Sequence, residues 1–247
     1  MTKFYNFIDN KTTNTTELYV YGEIIGGTEK WEDSDVTFKD FKDTLELVKD
    51  NTDLNIYINS PGGSVLATQG IISLLKRAKT RGVILNAYLD GLSASCASWL
   101  PMICDNIYVY DQSILMIHKP MSGIRGNADD MRKSIEILDK IEETMLSSYM
   151  LKAKDGVTEE NIKNMLTKET WLTAKEIDNI FNITLLEDKK ELVACVDKEL
   201  FKNYKNIPEQ FKNKLISEND KTEKVAIDNI ENEQLKLAKV KLQLALM

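Results

Sequence analysis

Short apolar runs alternate with stretches of helical spacing along the first three quarters of the chain. Leu18-Tyr19-Val20-Tyr21-Gly22-Glu23-Ile24 reads as a strand that ends in a glycine turn. Phe38, Phe41, Leu45 and Val48 then recur at helical spacing with charges between them. Residues 54–58 form a second apolar run, which leads into Asn59-Ser60-Pro61-Gly62-Gly63-Ser64 and then a helical stretch over 65–78. Residues 83–89, 106–110 and 114–117 read as three further strands, the first of them buried. Met131, Ile135, Leu138, Ile141, Met145 and Tyr149 form the apolar stripe of a long helix, and Gly156 ends that section. Thr158 can cap a short helix through Leu166. Thr173-Ala174-Lys175-Glu176 has capping-box spacing, and residues 183–186 suit a last strand. Strands alternating with helices predict an α/β fold with a mostly parallel, covered sheet.

The ends of the chain are different. Residues 1–16 are polar and rich in Thr and Asn, which suits a flexible arm or an edge segment. All eleven glycines fall at or before residue 156. Residues 196–247 hold a single proline, Pro208, and are dense in Lys, Glu and Asn. This shift marks an extension outside the compact domain. The expected organisation is an arm at 1–16, a domain at 17–190 and an extension at 191–247. Near its end Leu235, Ala238, Leu242 and Ala245 favour a helix, although Val240, Leu242, Leu244 and Leu246 also alternate as in a strand.

Composition narrows the function. A net charge of −7 without a basic cluster argues against nucleic acid as a partner. No stretch approaches the length of a membrane span, and the first residues lack the apolar core of a signal peptide. Cys96, Cys104 and Cys195 are an odd number without metal-like spacing, so a reduced, cytoplasmic protein is expected.

Three stretches could carry chemistry. Gly91-Leu92-Ser93-Ala94-Ser95-Cys96-Ala97-Ser98-Trp99-Leu100 follows a buried strand and opens a helix. A serine at such a turn has an exposed hydroxyl beside free N–H groups, where an oxyanion can be held. Ser93, Ser95 and Ser98 all compete for that role, and Cys96 is a fourth candidate nucleophile. Ser60-Pro61-Gly62-Gly63 lies at another strand-to-helix junction, and its glycines leave N–H groups uncovered. The single histidine, His118, follows an apolar strand and precedes Lys119-Pro120, so any imidazole base must be this residue.

Asn59-Ser60-Pro61-Gly62-Gly63, Gly91-Leu92-Ser93-Ala94-Ser95 and Met116-Ile117-His118-Lys119-Pro120 resemble three landmarks of the Clp protease proteolytic subunit, ClpP. Trp171-Leu172-Thr173-Ala174-Lys175-Glu176 resembles the segment after that family's third catalytic residue. Gly123-Ile124-Arg125-Gly126-Asn127-Ala128 resembles its glycine-bounded strand before the long handle helix. The resemblance covers residues 17–190 and implies a ClpP/crotonase-like spiral of βαβ units, followed here by the C-terminal extension. It implies Ser95 as nucleophile and His118 as general base, with Glu169 at the position of the family's catalytic Asp. Gly62 and Cys96 would supply the oxyanion-hole N–H groups, with Gly63 nearby, and Ser64, Met121 and Gly123 would hold substrate. Ser93 and Ser98 fall at non-catalytic positions. No metal and no organic cofactor are implied.

The implied activity is serine endopeptidase cleavage of protein or peptide substrates inside a homo-oligomeric ring, a heptamer or stacked heptamers. The family also makes a Clp ATPase a candidate partner. Several features depart from ClpP. Glu replaces Asp at position 169, Leu166-Thr167-Lys168 replaces an acidic, arginine-bearing ring-contact segment, and neither the arm nor the extension has a counterpart. With Glu169-Thr170-Trp171-Leu172-Thr173-Ala174, these features are similar to the head-maturation proteases of phages and prophages, whose partners would be capsid or scaffold proteins. Two alternatives are a crotonase-like acyl-CoA enzyme and a catalytically silent scaffold.

Overall fold

Alternating apolar and polar residues build a single mixed sheet, which the computed structural model describes over residues 5–10, 15–26, 38–187 and 204–207. In chain order the elements are β1 (Tyr5–Asn10), β2 (Thr15–Tyr21), α1 (Phe38–Glu46), β3 (Asp53–Ser60), α2 (Val65–Thr80) and β4 (Ile84–Ala94). A 3₁₀ turn (Ser95–Ser98), α3 (Trp99–Met102), β5 (Asn106–Tyr110), β6 (Ile114–Ile117) and α4 (Ala128–Met150) follow. The last are α5 (Glu159–Lys168), β7 (Thr170–Thr173), α6 (Ala174–Ile180) and β8 (Thr184–Leu186). The sheet order is β1-β2-β3-β4-β5-β8. β1 and β2 are antiparallel, and the remaining pairs along this path are parallel. The N-terminal segment is therefore an edge strand over Tyr5–Asn10, one of the two forms expected for it.

β4 is the pivot. Its first half pairs with β5, from Asn86 opposite Asn106 to Leu89 opposite Val109. Its last residues pair instead with β6, from Leu92 opposite Ile114 to Ala94 opposite Met116. β6 then pairs with antiparallel β7. At the same level β3 shifts register between Ile58 and Ser60, and the Asn59 side chain accepts a hydrogen bond from the Leu92 N–H at 3.0 Å. Pro61 ends β3, because a proline has no N–H for a further rung.

One face of the sheet carries Leu18, Val20, Leu54, Ile56, Ile58, Leu85, Ala87 and Leu89, all buried. They share a core with Ile71 and Leu75 of α2 and Trp99 of α3. Each of these Leu, Ile and Val side chains contributes about 1.5–3 kcal/mol on burial. The other face carries a tyrosine ladder. Tyr19, Tyr57, Tyr88 and Tyr108 stand on four neighbouring strands with ring centroids 4.8–4.9 Å apart and nearly parallel planes. In-register strands are themselves about 4.8 Å apart, so stacking follows from the register. Beside the ladder Asn106 donates to Asn86 and Asn86 to Asn55. These tyrosines are half-buried, so among the described residues this face is not fully covered as expected. The Asn and Tyr positions that alternate with Leu54, Ile56 and Ile58 are the reason.

α4 starts at a capping box of Asn127 and Asp130. Only its C-terminal end is buried, through Met145, Leu146, Ser148 and Tyr149, while Met131, Ile135 and Ile137 are exposed. The predicted stripe continues beyond the body of the domain. Residues 121–127 form no strand and are exposed, unlike the strand expected over 123–128, since among the described residues no strand pairs with them. Thr158 caps α5, and Thr173 with Glu176 forms the expected capping box of α6. Where a buried helix was expected after the serine turn, a 3₁₀ turn leads into a single turn of α3. Among the described residues no helix is long and apolar enough to cross a membrane. The expected C-terminal helix lies outside the described residues, as does nearly all of a second unit over 207–247.

Candidate active site

The site begins where β4 stops. Ala94 is still extended, and Ser95 turns into the left-handed region at φ 54°. For a residue with a side chain that conformation costs roughly 1–2 kcal/mol. Among the described residues only Asn51, Ser95 and Glu169 adopt positive φ without being glycine. Such strain concentrates at functional sites. The loop after β3 closes on this turn. A Cβ on Gly62 would lie 2.7 Å from the Ser95 Cβ and 2.8 Å from the Ala94 carbonyl, so only glycine permits the approach. Ile24 stitches the loop from the other side, donating to Gly62 O and accepting from Ser64 N, both at 2.7 Å.

The three serines separate by environment. Ser93 and Ser98 are buried. The Ser93 hydroxyl donates to Ala97 O at 3.3 Å, and the Ser98 and Tyr149 hydroxyls bond each other at 2.6 Å. Ser95 Oγ lies 2.7 Å from His118 Nε2. Replacing Tyr149 by phenylalanine should cost about 1–2 kcal/mol, because it removes one partner of a buried hydroxyl pair. Urea denaturation would measure this, and a change below about 0.5 kcal/mol would mean that the pair adds no net stability.

His118 follows β6, whose four residues are all buried, and is itself 6% exposed. Burial lowers its pKa from the usual histidine value, and the negative charge of Glu169 opposes that shift. The imidazole is therefore neutral at neutral pH and can take a proton through Nε2. Burial pushes the Cys96 thiol up, so it stays protonated and does not compete as nucleophile.

Glu169 is the C-cap of α5, at φ 50°. Its carboxylate is buried beside the site. Oε1 accepts from the Lys205 N–H at 2.8 Å, the Asn206 N–H at 2.7 Å and Trp171 Nε1 at 3.5 Å. Among the described residues it makes no hydrogen bond to His118 and acts on the imidazole through its charge alone.

The Gly62 N–H is held by Ser60 Oγ at 3.1 Å, and the Gly63 and Cys96 N–H groups lower the Cys96 thiol pKa against the larger effect of burial. A pocket of about 80 Å³ opens between Ser95 and His118, walled by Val65, Trp99, Pro120, Met121 and Met145. Ser64 caps α2, its hydroxyl oxygen accepting from Ala67 N at 3.3 Å, which makes it a support of the loop. Gly123 sits in the exposed 121–127 segment.

Tyr204 was missed by the sequence. Its ring packs edge-on to His118 with centroids 5.6 Å apart and to Trp171 at 5.7 Å. Its hydroxyl donates to the Pro61 carbonyl and lies within hydrogen-bonding reach of Ser95. A lone tyrosine in a charged stretch beyond the last strand offered no periodic signal.

The family model described as Clp protease matches residues 25–180, more than half of the chain, a stretch that holds Ser95, His118 and Glu169 but not Tyr204. The chain belongs to the Clp protease family. It is 30% identical over 148 residues to ATP-dependent Clp protease proteolytic subunit 1 of Prochlorococcus marinus, covering 56% of this chain and 72% of that one. The ATP-dependent Clp protease proteolytic subunit of Porphyromonas gingivalis is 27% identical over 134 residues, 53% of this chain and 58% of that subunit. A solved ClpP1 mutant from Listeria monocytogenes has the same fold. It superposes with a TM-score of 0.57 at 20% identity, covering 70% of this chain and 92% of its own.

Proposed function

We propose that this Clp protease family member is a serine endopeptidase. The observation that carries the reading is Ser95 Oγ at 2.7 Å from the Nε2 of a buried histidine, on a strained turn. Ser95 Oγ attacks the carbonyl carbon of a peptide bond while its proton passes to His118 Nε2. The Gly63 and Cys96 N–H groups receive the oxyanion, and Gly62 shapes the loop that carries the first of them. His118 then protonates the leaving amine. Water, deprotonated by the same nitrogen, releases the acyl group from Ser95. The Ser95–His118 pair supports this chemistry over the acyl-CoA and silent-scaffold alternatives, which do not need it.

The apolar pocket beside Ser95 suits a medium-sized apolar residue before the scissile bond. Fluorogenic peptides with Leu or Met there should be hydrolysed about tenfold or more faster than those with Asp or Lys. A fluorophosphonate should label Ser95 in the same preparation. Absence of both hydrolysis and labelling from a folded sample would overturn the reading.

Family membership and the exposed Met131, Ile135 and Ile137 on α4 support a homo-oligomeric ring with the sites facing inward, acting on short peptides without ATP. A Clp ATPase is the candidate partner for folded substrates. The finer assignment, phage or prophage head maturation, rests on the Glu169–Ala174 segment, the changed ring-contact residues and the extension. Co-expression with capsid and scaffold proteins from the same locus tests it through the appearance of shortened products that depend on Ser95.

A further inference from the structure

The segment Tyr204–Asn206 lies outside the stretch that matches the Clp protease family model, yet it contacts four parts of the candidate site. The tyrosine ring is wedged between His118 and Trp171. The hydroxyl reaches Pro61, in the loop that carries Gly62 and Gly63, and the neighbourhood of Ser95. The next two backbone N–H groups, of Lys205 and Asn206, both point at one oxygen of Glu169. The Asn206 amide adds a bond to the Lys168 carbonyl at 2.8 Å. An aromatic ring in a slot, followed by two consecutive main-chain donors on a carboxylate, is a mode of holding peptide.

We propose that Pro61, His118, Glu169 and Trp171 form a peptide clamp for an aromatic residue and the two residues after it, and that Tyr204–Asn206 fills this clamp in cis and competes with substrate. This rests on the reading of Ser95 and His118 as a hydrolytic pair. The clamp accepts any peptide with an aromatic side chain followed by two residues with free N–H groups, so proline at either of those places is excluded. With the segment seated, Glu169 is engaged by backbone N–H groups and the serine hydroxyl is covered by a phenol. With the segment out, both are released to the cleft. The apparent reactivity of Ser95 in the whole chain is then its intrinsic reactivity multiplied by the fraction of molecules in which the segment is out.

The test is the rate at which a fluorophosphonate labels Ser95 in the full chain and in full-length Tyr204→Ala and Lys205→Pro. Tyr204→Ala removes the ring. Lys205→Pro removes one donor to Glu169 and so loosens the segment while keeping the tyrosine side chain. Both variants should label about tenfold faster than the parent. A synthetic peptide with the sequence of residues 201–207, added to Tyr204→Ala, should slow labelling back towards the parental rate. Thermal melting confirms that each protein is folded, and Lys205→Pro carries the test if Tyr204→Ala does not fold. Equal labelling rates in the parent and the folded variants would overturn the clamp and leave the serine reading intact. No labelling in any folded form would overturn the serine reading and the competition with it.

Discussion

Ser95→Ala is expected to reduce peptide hydrolysis by roughly three to six orders of magnitude while leaving the fold in place. Among the described residues the hydroxyl interacts with His118 and Tyr204. Alanine keeps the Cβ that already rests against Gly62, so the loop after β3 need not move. The left-handed backbone at position 95 costs alanine about as much as serine, and the melting temperature should change little. His118→Ala should give a loss of similar size, because a nucleophile and its base act as a unit. Hydrolysis of a fluorogenic peptide by purified Ser95→Ala, with a parallel melt, is the measurement. Retention of parental turnover would remove Ser95 as nucleophile.

Glu169→Gln is expected to lower turnover by roughly two to four orders of magnitude if the carboxylate stabilises the imidazolium. The substitution isolates charge from shape. The Gln carbonyl oxygen can still accept from the Lys205 and Asn206 N–H groups, so Tyr204–Asn206 keeps its anchor. What is lost is the charge that raises the His118 pKa against the effect of burial. His118 must be neutral to act as base, so activity falls as pH drops through its pKa. Without Glu169 that pKa falls further, and the acid limb of kcat/KM should move to lower pH. Among the described residues Glu169 makes no hydrogen bond to His118, so its effect on the imidazole in this structure is that of its charge. A pH–rate profile checks both effects. Turnover within about twofold of the parent, with an unmoved acid limb, would exclude Glu169 from the mechanism.

The exposed half of α4 and the tyrosine ladder have related causes. Apolar positions that recur at helical spacing predict a helix, and α4 forms, but periodicity does not say what covers the stripe. Met131 and Ile135 fit the pattern as well as Met145 does, yet only Met145 reaches the core. In β3 the alternation of Leu54, Ile56 and Ile58 with Asn55 and Tyr57 marks a sheet with one buried face. A fully covered sheet would read as a continuous apolar run.

What the amino-acid sequence determined by itself is local. It set the order of strands and helices, because apolar spacing and caps act within a few residues. Thr158, Thr173 and Glu176 made the caps their spacing predicted. It also made His118 the only available imidazole and put glycine at 62 and 63, where the chain must pass against Ser95 and Ile24. The tertiary structure decided the rest, because the site is built from segments far apart in the chain. Burial and hydrogen bonding left Ser95, and not Ser93 or Ser98, against His118. The loop hydrogen bonds tied the Gly62 N–H to Ser60. Tyr204, 109 positions beyond Ser95, joined the site only through packing on His118 and Trp171. No local rule of spacing or propensity acts over such a separation. A contact of that kind exists only once the sheet has brought β4, β6 and β7 side by side.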